Sequence, residues 1–189
     1  MAPVIRSKLC RAAALVPLLG LACSPSAEDI ATAIAAKNPV MREDGAKIAQ
    51  NYSDEVVEKA LISVLADPSQ TVRLNAIESL AEIESTNAGS PLIERLEHDD
   101  DARVRSAAAD ALGRLKVKEA AQPLVAYVTG FPPDDRAQLA GVWALGSIGA
   151  EGLPAADKQV VLDELVHLRD TTKDKFVRYQ TTAALRTLK

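Results

Sequence analysis

The sequence predicts an all-α chain, a right-handed α-solenoid of about four helix pairs. First, a plain, alanine-rich helix is written four times: Asp67 to Ile83, Asp99 to Leu115, Asp134 to Ile148 and Lys173 to Leu188. Second, the copies align in columns. Leu80, Leu112, Leu145 and Leu185 lie 32, 33 and 40 residues apart, with Ile83, Leu115, Ile148 and Leu188 three residues on. Val72, Val104, Ala137 and Val177 stand eight residues before the leucines, and the small column Ala76, Ala108, Gly141 and Thr181 four before. Those offsets share one helix face, and a repeat of this period marks units that bury their apolar faces only by stacking. Third, strand-like alternation of Val, Ile and Thr is absent, while alanine, the best helix former, is abundant.

The elements follow in order. Asn38-Pro39 opens a half-unit over 38–51, and Val56 to Leu65 is the first helix of the next pair. Asp67-Pro68-Ser69-Gln70 reads as a helix start, with a capping aspartate, proline at the first position and glutamine at the third. Ser90-Pro91 opens another helix in the same manner. Leu92 to Leu96, Leu124 to Val128 and Val160 to Leu168 are the remaining first helices, giving units at about 53–84, 90–116, 120–149 and 157–189. Two longer loops, Gly130 to Asp135 and Gly149 to Lys158, interrupt the pattern, and such loops are often functional. Gln180-Thr181-Thr182 replaces the alanines of unit two and reads as a polar C-terminal cap that completes the array.

Val72-Arg73, Val104-Arg105 with Ala111-Leu112-Gly113, Ala144-Leu145-Gly146, and Val177-Arg178 carry a family resemblance. The pattern resembles HEAT repeats of the short bacterial kind first noted in phycobilin lyases, and it implies an armadillo-type superhelix over residues 38–189.

The N-terminus is set apart. Arg6, Lys8 and Arg11 precede eleven uncharged, mostly apolar residues, a run too short to span a bilayer. Leu19-Gly20-Leu21-Ala22-Cys23-Ser24 resembles a bacterial lipobox, with Gly20 departing from the branched apolar residue usual there. The resemblance implies a signal peptide over 1–22, acylation of Cys23, and a tether over 23–37. Ser24, not aspartate, follows the cysteine, which implies the outer membrane, facing the periplasm. Cys10 leaves with the leader, so no disulfide is expected. The leader also removes three of the 22 basic residues and none of the 26 acidic ones. The mature chain is therefore acidic, which argues against nucleic acid or anionic lipid headgroups as the main ligand.

Candidate sites are sparse. Arg73, Arg105 and Arg178 recur at one position with Asp67, Asp99 or Asp174 a few residues upstream, and read as structural repeat residues pairing with those aspartates. His98 precedes three aspartates and His167 stands without a matching partner; two such histidines do not make a metal centre, so no metal or cofactor is expected. Trp143 holds the register of Glu78 and Asp110, and Leu139 that of Tyr179. If the second helices line the concave side, as the resemblance implies, Glu78, Asp110, Leu139, Trp143 and Tyr179 form a partner-binding surface there. Against this, Trp143 would fold over the 130–135 loop onto Phe131. With no Ser-His-Asp set, phosphate loop or zinc motif, the expectation is a non-catalytic, lipid-anchored scaffold for a protein partner of basic or mixed charge. The alternative is an enzyme or cofactor-handling protein of the lyase-like or hydroxylase-like HEAT class. For the address, radiolabelled palmitate is expected to enter the wild-type protein in cells and not the Cys23→Ser variant; equal labelling of both refutes acylation at Cys23.

Overall fold

The computed structural model describes residues 24–130, 138–153 and 155–188. Ten helices run through them: α1 (Ala27–Ile34), α2 (Pro39–Ile48), α3 (Glu55–Ser63), α4 (Gln70–Glu82), α5 (Gly89–His98), α6 (Ala102–Arg114), α7 (Ala121–Thr129), α8 (Gln138–Gly152), α9 (Ala155–Thr171) and α10 (Lys175–Thr187). The second helices α2, α4, α6, α8 and α10 pack one on the next, while α1 against α3, and α5, α7 and α9 in succession, make the other layer. The result is an all-helical solenoid of five pairs. The column leucines Leu80, Leu112, Leu145 and Leu185 all lie in its core.

The fifth pair corrects the expected tether and half-unit. Residues 27–34 form a helix, closed by a capping box in which Ser26 and Asp29 exchange hydrogen bonds. Ile30 and Ile34 are buried, and α1 packs on α2 and α3. Two isoleucines at i and i+4 suffice for one apolar stripe, so the chain between Cys23 and α1 is only a few residues long.

Local starts differ in detail from what the sequence suggests. Asn38 does cap α2 through Val40 N at 3.0 Å, with Pro39 in the first turn. Asp67 does not cap α4; helix geometry begins at Gln70 after Ser69, and the Asp67 carboxylate accepts from Ser69 N at 2.8 Å. Nor does Ser90 cap α5, which begins at Gly89 without a side-chain cap.

Arg42 and Arg73 pair with carboxylates ahead of them in the chain, not with the upstream ones. Arg73 donates through Nε and Nη2 to both carboxylate oxygens of Asp99, each at 2.9 Å, and through Nη1 to the Asp67 carbonyl at 2.8 Å. Arg42, one unit earlier, makes the same fork onto Asp67, at 2.6 and 3.1 Å. Each guanidinium thus ties its own turn to the carboxylate of the next unit, in the bidentate geometry that suits arginine. Arg105 and Arg178 bond the carbonyls of Asp99 and Thr172 at 2.7 and 2.5 Å. Counting the five pairs as units one to five, Gln138 stands where unit four would have its arginine, and donates to Val128 O at 2.8 Å.

At the far ends of α4 and α6, Glu84 and Lys116 take φ of 54° and 52°, and Ser85 N and Val117 N reach back to Leu80 O and Leu112 O. This is the left-handed turn that commonly closes helices. Gly149 holds the equivalent place in unit four at φ 71° and kinks α8 there.

Burial raises the pKa of the Asp67 carboxyl, but the Arg42 fork and the Ser69 amide outweigh it and leave it below the ordinary value. The side chains of the pair are 15% and 6% exposed. Arg42→Met should therefore cost about 3 kcal/mol at pH 7, read by urea unfolding, because it strands a buried charge. A carboxylate with a depressed pKa contributes stability above its unfolded value and loses it as pH falls through the folded one. The wild-type advantage should shrink below about pH 4. An advantage that is constant from pH 7 to 3 refutes the pairing energetics.

Candidate functional site

The surface with the most chemistry is the open side of the second-helix layer, between α6 and α8. Ala102, Arg103, Ser106, Ala107 and Asp110 of α6, with Ala140 of α8, line a shallow groove there. The floor is flat because Ala107 and Ala140 are small, and the walls are polar. Asp110 is open to solvent on one side; crowding by protein on the other lifts its carboxyl above the ordinary value, against the pull of Arg114. Arg114 itself bridges to Glu82 of α4 at 2.8 Å.

Trp143 is half-buried and packs against the core beside this groove. Its ring reaches α6 at Gly113: a Cβ placed on that glycine would stand 2.9 Å from the indole Cζ3, and 2.6 Å from the Ala144 Cα. Phe131 and the rest of 131–137 lie outside the described residues. Leu139 is half-buried one turn before Trp143, Glu78 is exposed on α4, and Tyr179 is 73% exposed on α10. The structure thus brings Asp110, Leu139 and Trp143 together around α6 and α8, with Glu78 and Tyr179 on the flanking helices. Arg73, Arg105 and Arg178 lie at the turns between paired helices, bonded to backbone or carboxylate there. His98 is 71% exposed, 3.8 Å from Glu97. No cluster of three metal-ligating side chains occurs among the described residues. Sequence reasoning missed Arg103, which stands in a column with Thr71, Arg136 and Phe176 and so carries no distinctive signal.

A family model described as HEAT repeats matches in three overlapping frames, residues 27–113, 58–145 and 89–186. The chain belongs to the HEAT-repeat family. Among HEAT proteins it is 30% identical over 151 residues to the "Uncharacterized phycocyanin operon protein Z" of Pseudanabaena tenuis (strain PCC 7409), covering 72% of this chain and 74% of that one. It is similar in fold to the complex of CpcE and CpcF of phycocyanin lyase from Nostoc sp. PCC7120, with a TM-score of 0.71 and 24% identity, over 92% of this chain and 68% of that one.

These likenesses overturn two expectations, that the chain is a non-catalytic scaffold and that it is no enzyme. Both rested on missing short motifs. The relatives are instead a phycocyanin operon protein and a phycocyanin lyase, which favours the enzyme-like, cofactor-handling alternative. The physical reason is that a HEAT array presents side chains from successive second helices, so its chemistry is spread over a surface and leaves no contiguous motif. The structural neighbour is itself a complex of two proteins.

Gly113 is the position on which groove and indole both depend. Gly113→Ala should lower stability by about 1–3 kcal/mol, since the Ala144 backbone must shift, and should red-shift Trp143 emission as the ring is displaced. Unchanged melting and emission would refute this contact.

Proposed function

We propose that this chain is a chromophore-handling protein of the lyase type, working with a protein partner and taking its ligand on the second-helix surface over α6, α8 and α10. The observation that carries the reading is the 30% identity to a phycocyanin operon protein across most of both chains. The groove supports it chemically. An open-chain tetrapyrrole is long, flat and conjugated, and bears carboxylates. The alanine floor admits a flat ring system, Arg103 offers a guanidinium to a carboxylate, and Trp143 and Tyr179 offer aromatic surface. Asp110, whose carboxyl burial holds above its ordinary value, offers an acceptor to the N–H groups of such a ligand. Acidic Glu78 and Glu82 beside the groove favour a partner with basic or mixed charge. On the lipobox resemblance the protein is anchored through acylated Cys23 at the outer membrane, facing the periplasm; no helix among the described residues is long and apolar enough to cross a membrane.

The test is titration of the mature protein with biliverdin, followed by visible absorbance and by quenching of the single tryptophan. Saturable quenching with co-elution of pigment is expected, and Arg103→Ala should weaken binding about tenfold, the worth of one charge-assisted contact. Pigment that neither co-elutes nor quenches Trp143 rejects the reading.

A further inference from the structure

The upstream end of the solenoid is built like an interior junction. In three of the four later units, the residue just before the column leucine meets the preceding second helix: Ser79 donates to Ala46 O at 2.6 Å, and Ala144 and Ala184 lie against Gly113 and Gly146. Arg42 aligns with Arg73 through the shared fork, so Ile48 of α2 holds that same position and Met41 holds the column of Val72, Val104 and Val177. Those three valines are fully buried, whereas Met41 is 47% and Ile48 43% exposed, with Val40 at 59% on the same helix. Met41 and Ile48 thus stand at core positions yet are left about half exposed, and Val40, in the register of exposed Thr71 and Arg103, adds to the same apolar face.

We infer that this end face rests on the lipid surface that holds the acyl chain, an inference that depends on the anchoring of Cys23 proposed above. Cys23 is four residues before Ala27, at most about 14 Å of extended chain. The end of α1 lies against Gly45, one turn before Ile48, where an added Cβ would stand 2.8 Å from Ile34 N, and the start of α1 is about 10 Å of helix from that contact. An anchor there holds the apolar face near the bilayer at high effective concentration, where Val40, Met41 and Ile48 each gain from leaving water. Asp44, exposed among them, keeps the contact at headgroup depth, since a carboxylate does not enter hydrocarbon. A second copy is a poorer occupant, because end-to-end pairing of two acidic chains would oppose Asp44 to its own image.

The experiment uses the lipidated protein in vesicles of phosphatidylethanolamine and phosphatidylglycerol that carry headgroup spin labels. Bimane is attached at Ile48→Cys or, for comparison, at Arg186→Cys in the last helix; acylated Cys23 does not react. Emission at Ile48→Cys is expected to fall at least about twofold, and that at Arg186→Cys to stay unchanged. Met41→Cys serves as a second reporter if Ile48→Cys loses helicity. Vesicle-bound protein with equal emission at the two ends overturns the inference and leaves the anchor standing. Protein that labels at Cys23, or keeps its leader, and does not float with vesicles overturns the anchor and the inference with it. A bimane shift in detergent alone, with a dimeric mass, assigns the face to a second copy and also overturns it.

Discussion

The close approach of one second helix to the next is the constraint on which the rest of the fold depends. Gly113 against Ala144 and Gly146 against Ala184 are approaches of backbone to backbone with no room for a larger side chain, and Ser79 bonds the Ala46 carbonyl through its short hydroxyl. They explain why the repeated helix is so plain. Bulk on that seam would push the helices apart and open the leucine core behind it, whereas alanine and glycine let dispersion contacts run along whole turns. The same flatness gives the groove between α6 and α8 its smooth floor, so the surface available for chemistry follows from the packing rule.

The arginine forks act on the other edge. Arg42 to Asp67 and Arg73 to Asp99 set the register of units one to three, and each carboxylate also receives the backbone amide two residues on. In unit four the pattern changes: Gln138 replaces the arginine, and Thr172, also buried, occupies the aspartate position of unit five. A neutral set there avoids burying a charge. The departure falls in the unit that also supplies Trp143 and Leu139, so the array gives up regularity for a distinctive surface at one place.

Much of this was legible in the sequence, because burial in a stacked array is periodic. Leu80, Leu112, Leu145 and Leu185 announce themselves by spacing, and so do the small residues before them. What could not be read was what depends on neighbours in space. The partner of Arg73 lies 26 residues ahead, in the next unit, while the nearer Asp67 lends only its carbonyl. Helix α1 looked like a tether because its apolar stripe is two isoleucines among alanines. Arg103 looked like any solvated charge until Ala140 of the next helix stood opposite it. Trp143 held an outward register, yet its ring turns onto Gly113, a choice made by side-chain rotation and not by spacing. The chemistry was least legible, since a surface assembled from several helices has no linear signature.

The left-handed turn shared by Glu84 and Lys116, with Gly149 at the equivalent place, marks the seam at which modules can be spliced. By that point the second helix has already satisfied its final carbonyls, so whatever follows is free to vary in length. The extra residues beginning at Gly149 enter at this joint, and they do so without breaking the contact of Gly146 with Ala184. A loop or a foreign peptide grafted after Glu84 or Lys116 would inherit the same tolerance, which makes these two turns the natural entry points for building new specificity onto the array.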